Sequence, residues 1–62
     1  MNLEELLELY TGSNNITLYN KEGQRLTLYS NMNAAWCIKN YGTMDVFFFK
    51  YENDALMVGI IC

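Results

Sequence analysis

Few residues in this chain could carry acid–base or nucleophilic chemistry. The 62 residues include no histidine, so a catalytic role would fall to carboxylates or thiols. Glu4 and Glu8 are one helical turn apart on a face that we interpret as solvated, where a carboxyl group lacks the burial that raises its pKa. Asp45 and the C-terminal carboxylate of Cys62 can approach each other across the last strand pair, which we interpret as a sheet end rather than a catalytic dyad. We therefore expect no enzyme activity.

The two cysteines and the glycines do not indicate a cofactor or a metal. Cys37 and Cys62 lie far apart in the sequence, so neither a disulfide framework nor a zinc site is expected. Cys37 falls on an apolar helical stripe, which favours a buried and inert thiol. The four glycines are isolated, so the chain has no glycine-rich phosphate loop. We predict no cofactor and no metal ion.

Length and composition indicate a single domain over residues 1–62. The chain is 52% hydrophobic and 18% charged, with a net charge of −3. Its four cations are scattered rather than clustered, which argues against direct binding of nucleic acid. No apolar run reaches the roughly 20 residues of a membrane span, and two free thiols suit a reducing compartment. We expect a cytoplasmic protein that does not enter a membrane.

The first predicted element is a helix over residues 2–10. Its apolar side chains recur at helical spacing. They are Leu3, Leu6, Leu7 and Tyr10. Asn2 is expected to cap the first turn with Glu5 completing a capping box, and Gly12 is expected to end the helix.

Residues 15–29 alternate apolar and polar side chains, which predicts a hairpin. The turn is predicted at residues 20–23, with Gly23 in the left-handed region. The register pairs Tyr19 with Arg25, Leu18 with Leu26, and Ile16 with Leu28. One face then carries Ile16, Leu18, Leu26 and Leu28, and the other carries Thr17, Tyr19, Arg25, Thr27 and Tyr29.

A second helix is predicted from about Asn31 to Asn40, capped by Ser30 or Asn31 and followed by Gly42. Its apolar band covers more than half of its circumference. Residues 43–62 are predicted to form a second hairpin around an Asn53–Asp54 turn. The predicted pairs are Tyr51–Leu56, Lys50–Met57, Phe49–Val58, Phe48–Gly59, Phe47–Ile60 and Val46–Ile61.

Neither face of this second hairpin is polar. One face carries Phe47, Phe49, Tyr51, Leu56, Val58 and Ile60, and the other carries Met44, Val46, Phe48, Met57 and Ile61. The order α-β-β-α-β-β predicts an α+β fold in which two hairpins form a four-stranded antiparallel sheet with two short helices. Two helices cover only one face of that sheet, so one apolar row would face water in a monomer.

We therefore predict a homo-oligomer, a dimer or higher, and a protein partner. The candidate interface comprises Tyr19, Arg25, Tyr29, Trp36, Met44, Val46, Phe48, Met57 and Ile61. Tyrosine and arginine are enriched at protein interfaces. The sequence does not decide which apolar row is core and which is interface.

The acidic leucine helix, the hairpin segment Ile16–Leu26, the second helix and the closing hairpin resemble a group of very small proteins. These are the mostly uncharacterised α-β-β-α-β-β proteins carried by phages and mobile elements of Gram-positive bacteria. The segment Asn33–Ile38 departs from the acidic second helix of that group. The resemblance implies a binding protein that blocks a host defence or regulatory protein, and it implies no catalytic residue.

Two functions from different classes follow. The first is a non-enzymatic binding protein that acts by protein–protein association. The alternative is a protein that sequesters a small molecule or nucleotide in a Tyr/Thr-lined site at a subunit interface.

Overall fold

Two helices and three strands form the part of the chain that the computed structural model describes, residues 1–10, 15–29 and 32–62. In chain order they are α1 (Leu3–Leu9), β1 (Ile16–Tyr19), α2 (Ala34–Tyr41), β2 (Asp45–Glu52) and β3 (Ala55–Ile61). The strands lie in the order β1-β3-β2. β1 runs parallel to β3, and β2 runs antiparallel to it. The fold is α+β with a mixed sheet.

Helix α1 begins at the predicted cap. The Asn2 side chain accepts the Glu5 N–H at 2.9 Å, and the Glu5 carboxylate accepts the Asn2 N–H at 2.8 Å. This reciprocal pair satisfies two donors that the first helical turn leaves free. The prediction of the helix and its capping box is confirmed. Gly12, which was expected to end the helix, lies outside the described residues.

The turn of the predicted first hairpin forms as expected. Gly23 has a φ of +82°, and its N–H donates to the Asn20 carbonyl oxygen at 3.0 Å. A short bridge then joins Tyr19 and Arg25. The Leu26 N–H then donates to the Leu18 carbonyl oxygen at 2.7 Å.

Beyond Leu26 the hairpin does not continue, so the prediction of a four-stranded antiparallel sheet from two hairpins is wrong. Ile16 pairs with Met32 instead of Leu28, through hydrogen bonds of 3.0 and 3.1 Å. Leu28 is 66% exposed, whereas Thr27, assigned by alternation to the outer face, is buried. The main partner of β1 is β3, and such long-range parallel pairing leaves no mark in local alternation.

The second hairpin forms around the predicted turn, with φ values of 54° at Asn53 and 59° at Asp54. Two consecutive positive values are typical of a type I′ turn. The register matches the prediction in four pairs. They are Tyr51–Leu56, Lys50–Met57, Phe49–Val58 and Phe48–Gly59.

A bulge at Phe47 then shifts the register by one residue, because Val46 pairs with Ile60 rather than Ile61. The predicted pairs Phe47–Ile60 and Val46–Ile61 are therefore wrong. An extra residue in one strand reverses the faces of the residues that follow it. Val46 consequently packs against the core, and Phe47 lies on the opposite face beside Gly59.

Helix α2 begins later than predicted. Its N-cap is Asn33, whose side chain accepts the Trp36 N–H at 2.8 Å. Met32 is already paired with Ile16, so the helix cannot extend back through it. The predicted caps Ser30 and Asn31 lie outside the described residues.

Both helices contribute to a core on one face of the sheet. The fully or nearly buried apolar residues are Leu3, Leu6, Leu7, Ile16, Leu18, Cys37, Leu56, Val58 and Ile60. Three of them come from β3, the central strand. The opposite face of the sheet, which we call the outer face, carries Met57 and Gly59 of that strand, because side chains alternate along it. Within the described ranges, no helix is long and apolar enough to cross a membrane.

Candidate functional site

The most distinctive surface lies along β2. It consists of the side chains Phe47, Phe48, Phe49 and Tyr51, which we call the aromatic strand. Their exposed fractions are 49%, 43%, 55% and 53%. Large aromatic side chains clustered at the surface are typical of interaction sites rather than of plain solvated surface.

Gly59 allows the rings of Phe47 and Phe48 to lie against the outer face. A methyl group built on Gly59 would approach Phe47 Cζ to 2.7 Å and Phe48 Cδ1 to 2.9 Å, so the rings occupy the space that a side chain would need. The two ring centroids are 6.2 Å apart at an angle of 37°. Glycine in the central strand thus opens the sheet surface to the aromatic strand.

These rings border an open groove of about 330 Å³ on the outer face. The groove is lined by Tyr19, Asn20, Lys21, Gly23, Phe47, Phe48, Met57 and Gly59. One wall comes from the first turn and the other from β2 and β3. The lining is mainly apolar and aromatic, with one ammonium group at Lys21, so it suits contact with another apolar surface better than acid–base chemistry.

The backbone edge of β2 is open beside the aromatic strand. The Leu56 N–H donates to the Asn15 carbonyl oxygen at 2.8 Å, so it points toward β1. Tyr51 faces Leu56 in an antiparallel pair, and therefore directs its own N–H and C=O away from β3. Because backbone direction alternates along a strand, the N–H and C=O groups of Phe49 also point away from β3. No described residue pairs with these groups, whereas at the start of β2 the Val46 N–H donates to the Met1 carbonyl oxygen at 2.9 Å.

Polar groups flank the aromatic strand near the turn. Lys50 Nζ lies 3.4 Å from Glu52 Oε2, and both side chains are more than half exposed. The Tyr51 hydroxyl donates to Asp54 Oδ1 at 2.8 Å, and this hydrogen bond to a carboxylate raises the Tyr51 pKa. Tyr51 also lies near Tyr10 at the end of α1, with 5.9 Å between ring centroids. These contacts hold the turn end of the strand in place.

The structure brings together some of the predicted interface residues. Tyr19, Phe48 and Met57 line the same groove. Ile61, which is 46% exposed, follows on the outer face of β3.

The other predicted interface residues lie elsewhere. Trp36, Met44 and Val46 are half-buried and pack against the core. Arg25 is exposed, and its guanidinium donates to the Leu28 carbonyl oxygen at 3.4 Å. Tyr29 is 66% exposed, in the segment that leaves β1.

Three residues of the aromatic strand, Phe47, Phe49 and Tyr51, were absent from the predicted interface. The sequence placed them on one of the two apolar faces of the second hairpin, and it did not decide which of those faces is buried. Phe47 reaches the outer face only because of the bulge. Phe49 and Tyr51 pair with Val58 and Leu56 and so lie on the same face as the core, yet both remain about half exposed.

Groups suited to chemistry are not gathered at this site. Among the described residues, no three His, Cys, Asp or Glu side chains are placed to hold a metal ion. Cys37 is fully buried in the core, and burial raises the pKa of its thiol to about 11. Thr17 and Thr27, which were expected to line a ligand site, are both only 4% exposed.

Comparison of the chain with family models, curated proteins and solved structures finds no match in any of the three. The resemblance to small phage proteins stays a prediction.

Proposed function

We propose that this protein is a non-enzymatic binding protein that acts by protein–protein association through its aromatic strand. The observation that carries the proposal is that four aromatic side chains, each about half exposed, lie on one strand. At about 200 Å² for each aromatic side chain, this exposes roughly 400 Å² of ring surface per molecule. A standard interface buries about 800 Å² per partner, so the aromatic strand can supply its apolar centre.

The first partner that we propose is another copy of the chain, which gives a homo-oligomer. Light scattering in the micromolar range should report a mass of at least twice 7.2 kDa. A monomeric mass throughout that range would contradict the proposed self-association.

A matched pair of variants tests whether the aromatic strand carries the association. Phe48→Lys places a charge on the aromatic strand, and lysine on an edge strand opposes pairing; this variant should be monomeric. Leu9→Lys makes the same change in charge at a residue that is 73% exposed on α1, and should associate like the wild type. Equal masses for the two variants would place the association on another surface.

The resemblance to small phage proteins supports a second partner, a host defence or regulatory protein. Several phage proteins of this size block host defence systems by binding, which requires an exposed surface and no catalytic group. The net charge of −3 favours a basic surface on that target.

Sequestration of a nucleotide or other small molecule is the competing function. A ligand cannot reach Thr17 and Thr27 without moving the residues that bury them, which weakens this alternative. A bound ligand raises the melting temperature by mass action. We expect no shift with any common nucleotide, and a clear shift with one of them would favour sequestration over association.

A further inference from the structure

We propose that two copies of this chain associate edge to edge, with β2 of one copy antiparallel to β2 of the other about a two-fold axis. The two three-stranded sheets would then join into one continuous six-stranded sheet. This inference rests on the proposed self-association and specifies its geometry.

The backbone of β2 is open along its outer edge. Phe49 and Tyr51 direct their N–H and C=O groups away from β3, and no described residue pairs with them. Two such edges related by a two-fold axis satisfy each other's donors and acceptors, because antiparallel strands exchange hydrogen bonds reciprocally. An edge strand with unpaired backbone groups is a template for pairing with another chain, and Lys50, which alone would oppose pairing, is accompanied by Glu52 of opposite charge.

The position of the open stretch limits where the axis can lie. At the start of β2 the edge is occupied, since Val46 donates to Met1. At the other end the chain turns at Asn53. The free edge therefore covers residues 48–52. The outward-facing groups of Phe49 and Tyr51 can pair only with outward-facing groups of the other copy, so the axis passes through either Lys50 or Tyr51.

The charges of this stretch complement themselves. Lys50 and Glu52 are of opposite sign on the same face of the strand, 3.4 Å apart at their ends. With the axis at Tyr51, Lys50 of each copy lies directly opposite Glu52 of the other, whereas an axis at Lys50 would place the two Lys50 side chains opposite each other. The charges therefore select the axis at Tyr51. Opposite charges across a strand pair are stabilising, so the pattern favours a second copy over an unrelated strand.

The aromatic side chains add to the same contact. Phe49 and Tyr51 lie on one face of the joined strands and Phe48 on the other, so pairing at the edge brings exposed rings of two copies together on both faces. Packing of the two outer faces alone would leave the outward N–H and C=O groups of Phe49 and Tyr51 in water.

Proline substitution tests the edge directly. Phe49→Pro removes an N–H that points away from β3, a position where proline is tolerated in an edge strand. It should keep the fold of the monomer and have a dimer dissociation constant about thirtyfold higher than that of Phe49→Val, because each copy loses one hydrogen bond across the axis. Phe49→Val is the matched control, because it removes the ring and keeps the N–H. Analytical ultracentrifugation measures both constants.

If Phe49→Pro and Phe49→Val dimerise equally well, the edge pairing is overturned, while the proposed association of the wild type stands. If both are monomeric, the ring of Phe49 is essential to the contact and hydrogen exchange of the wild type decides whether the edge pairs. A wild type that is monomeric overturns both the edge pairing and the proposed self-association. A wild type that associates only with a different protein also overturns both, but it leaves the proposed function as a binding protein standing. Hydrogen exchange of the wild type keeps the inference testable if Phe49→Pro does not fold. The amides of Phe49 and Tyr51 should exchange at least tenfold more slowly in the dimer than at a concentration where the chain is monomeric. Exchange of these two amides that is independent of concentration overturns the pairing.

Discussion

At the scale of single residues, Cys37 shows how the core of this small protein fixes the state of a thiol. Its side chain is fully buried among apolar residues of α2 and the sheet. Desolvation disfavours the thiolate, so burial raises the Cys37 pKa from 9.0 to about 11. A thiol held in its neutral form packs as a small apolar side chain and does not act as a nucleophile.

This pKa shift predicts a pH dependence of stability. The folded chain holds the Cys37 proton more tightly than the unfolded chain, so the contribution to stability is complete below pH 9 and is lost as the pH rises through about 11. The free energy of unfolding of the wild type should therefore fall more steeply over this range than that of Cys37→Ala, which shares every other titrating group. Urea unfolding on either side of the range measures the difference. Parallel pH profiles would show that Cys37 is solvated in the folded protein.

At the scale of elements, the first turn depends on the backbone of Gly23. Its φ of +82° lies in the left-handed region, and a Cβ atom built there would meet no atom within 4 Å. The cost of Gly23→Val is therefore conformational alone, and we expect a loss of about 1–2 kcal/mol in the free energy of unfolding. Gly23→Asn should lose less, because asparagine tolerates this conformation. Denaturant titration compares the two, and a Val variant as stable as the wild type would contradict the turn.

The elements that could be predicted from the sequence are those set by neighbouring residues. The capping box of Asn2 and Glu5 and the type I′ turn at Asn53–Asp54 both depend on a few consecutive side chains. The turn at Asn53–Asp54 also fixes the register of β2 and β3 as far as the pair Phe48–Gly59. The bulge at Phe47 could not be predicted in this way, because it accompanies the pairing of the start of β2 with Met1 and Asn2, more than forty residues earlier.

At the scale of the whole molecule, the wrong prediction of a four-stranded antiparallel sheet has a single physical origin. Alternation in residues 24–29 indicated a strand, and the local signal is real for Arg25 and Leu26, which do pair with β1. The parallel pairing of β1 with β3 joins Ile16 to Leu56, a contact between residues that share no local pattern. The same limit applies to the candidate site. The pattern showed that the second hairpin was apolar on both faces, but only the packing of the helices decides which side chains stay exposed.

The size of the molecule connects that exposed surface to its stability. A chain of 62 residues buries only about 60% of the surface that its unfolded form exposes, so a lone copy is marginally stable. Burial of the aromatic strand in an interface would add to this small margin. Association that requires the folded state stabilises that state by mass action.

The melting temperature of the wild type should therefore rise with protein concentration. Phe48→Lys should melt at one temperature over the same range, because it lacks the association, and Leu9→Lys should follow the wild type. Differential scanning fluorimetry across dilute and concentrated samples measures all three. A wild-type melting temperature that does not change with concentration would mean that the aromatic strand, although exposed, contributes nothing to the stability of the folded chain through self-association.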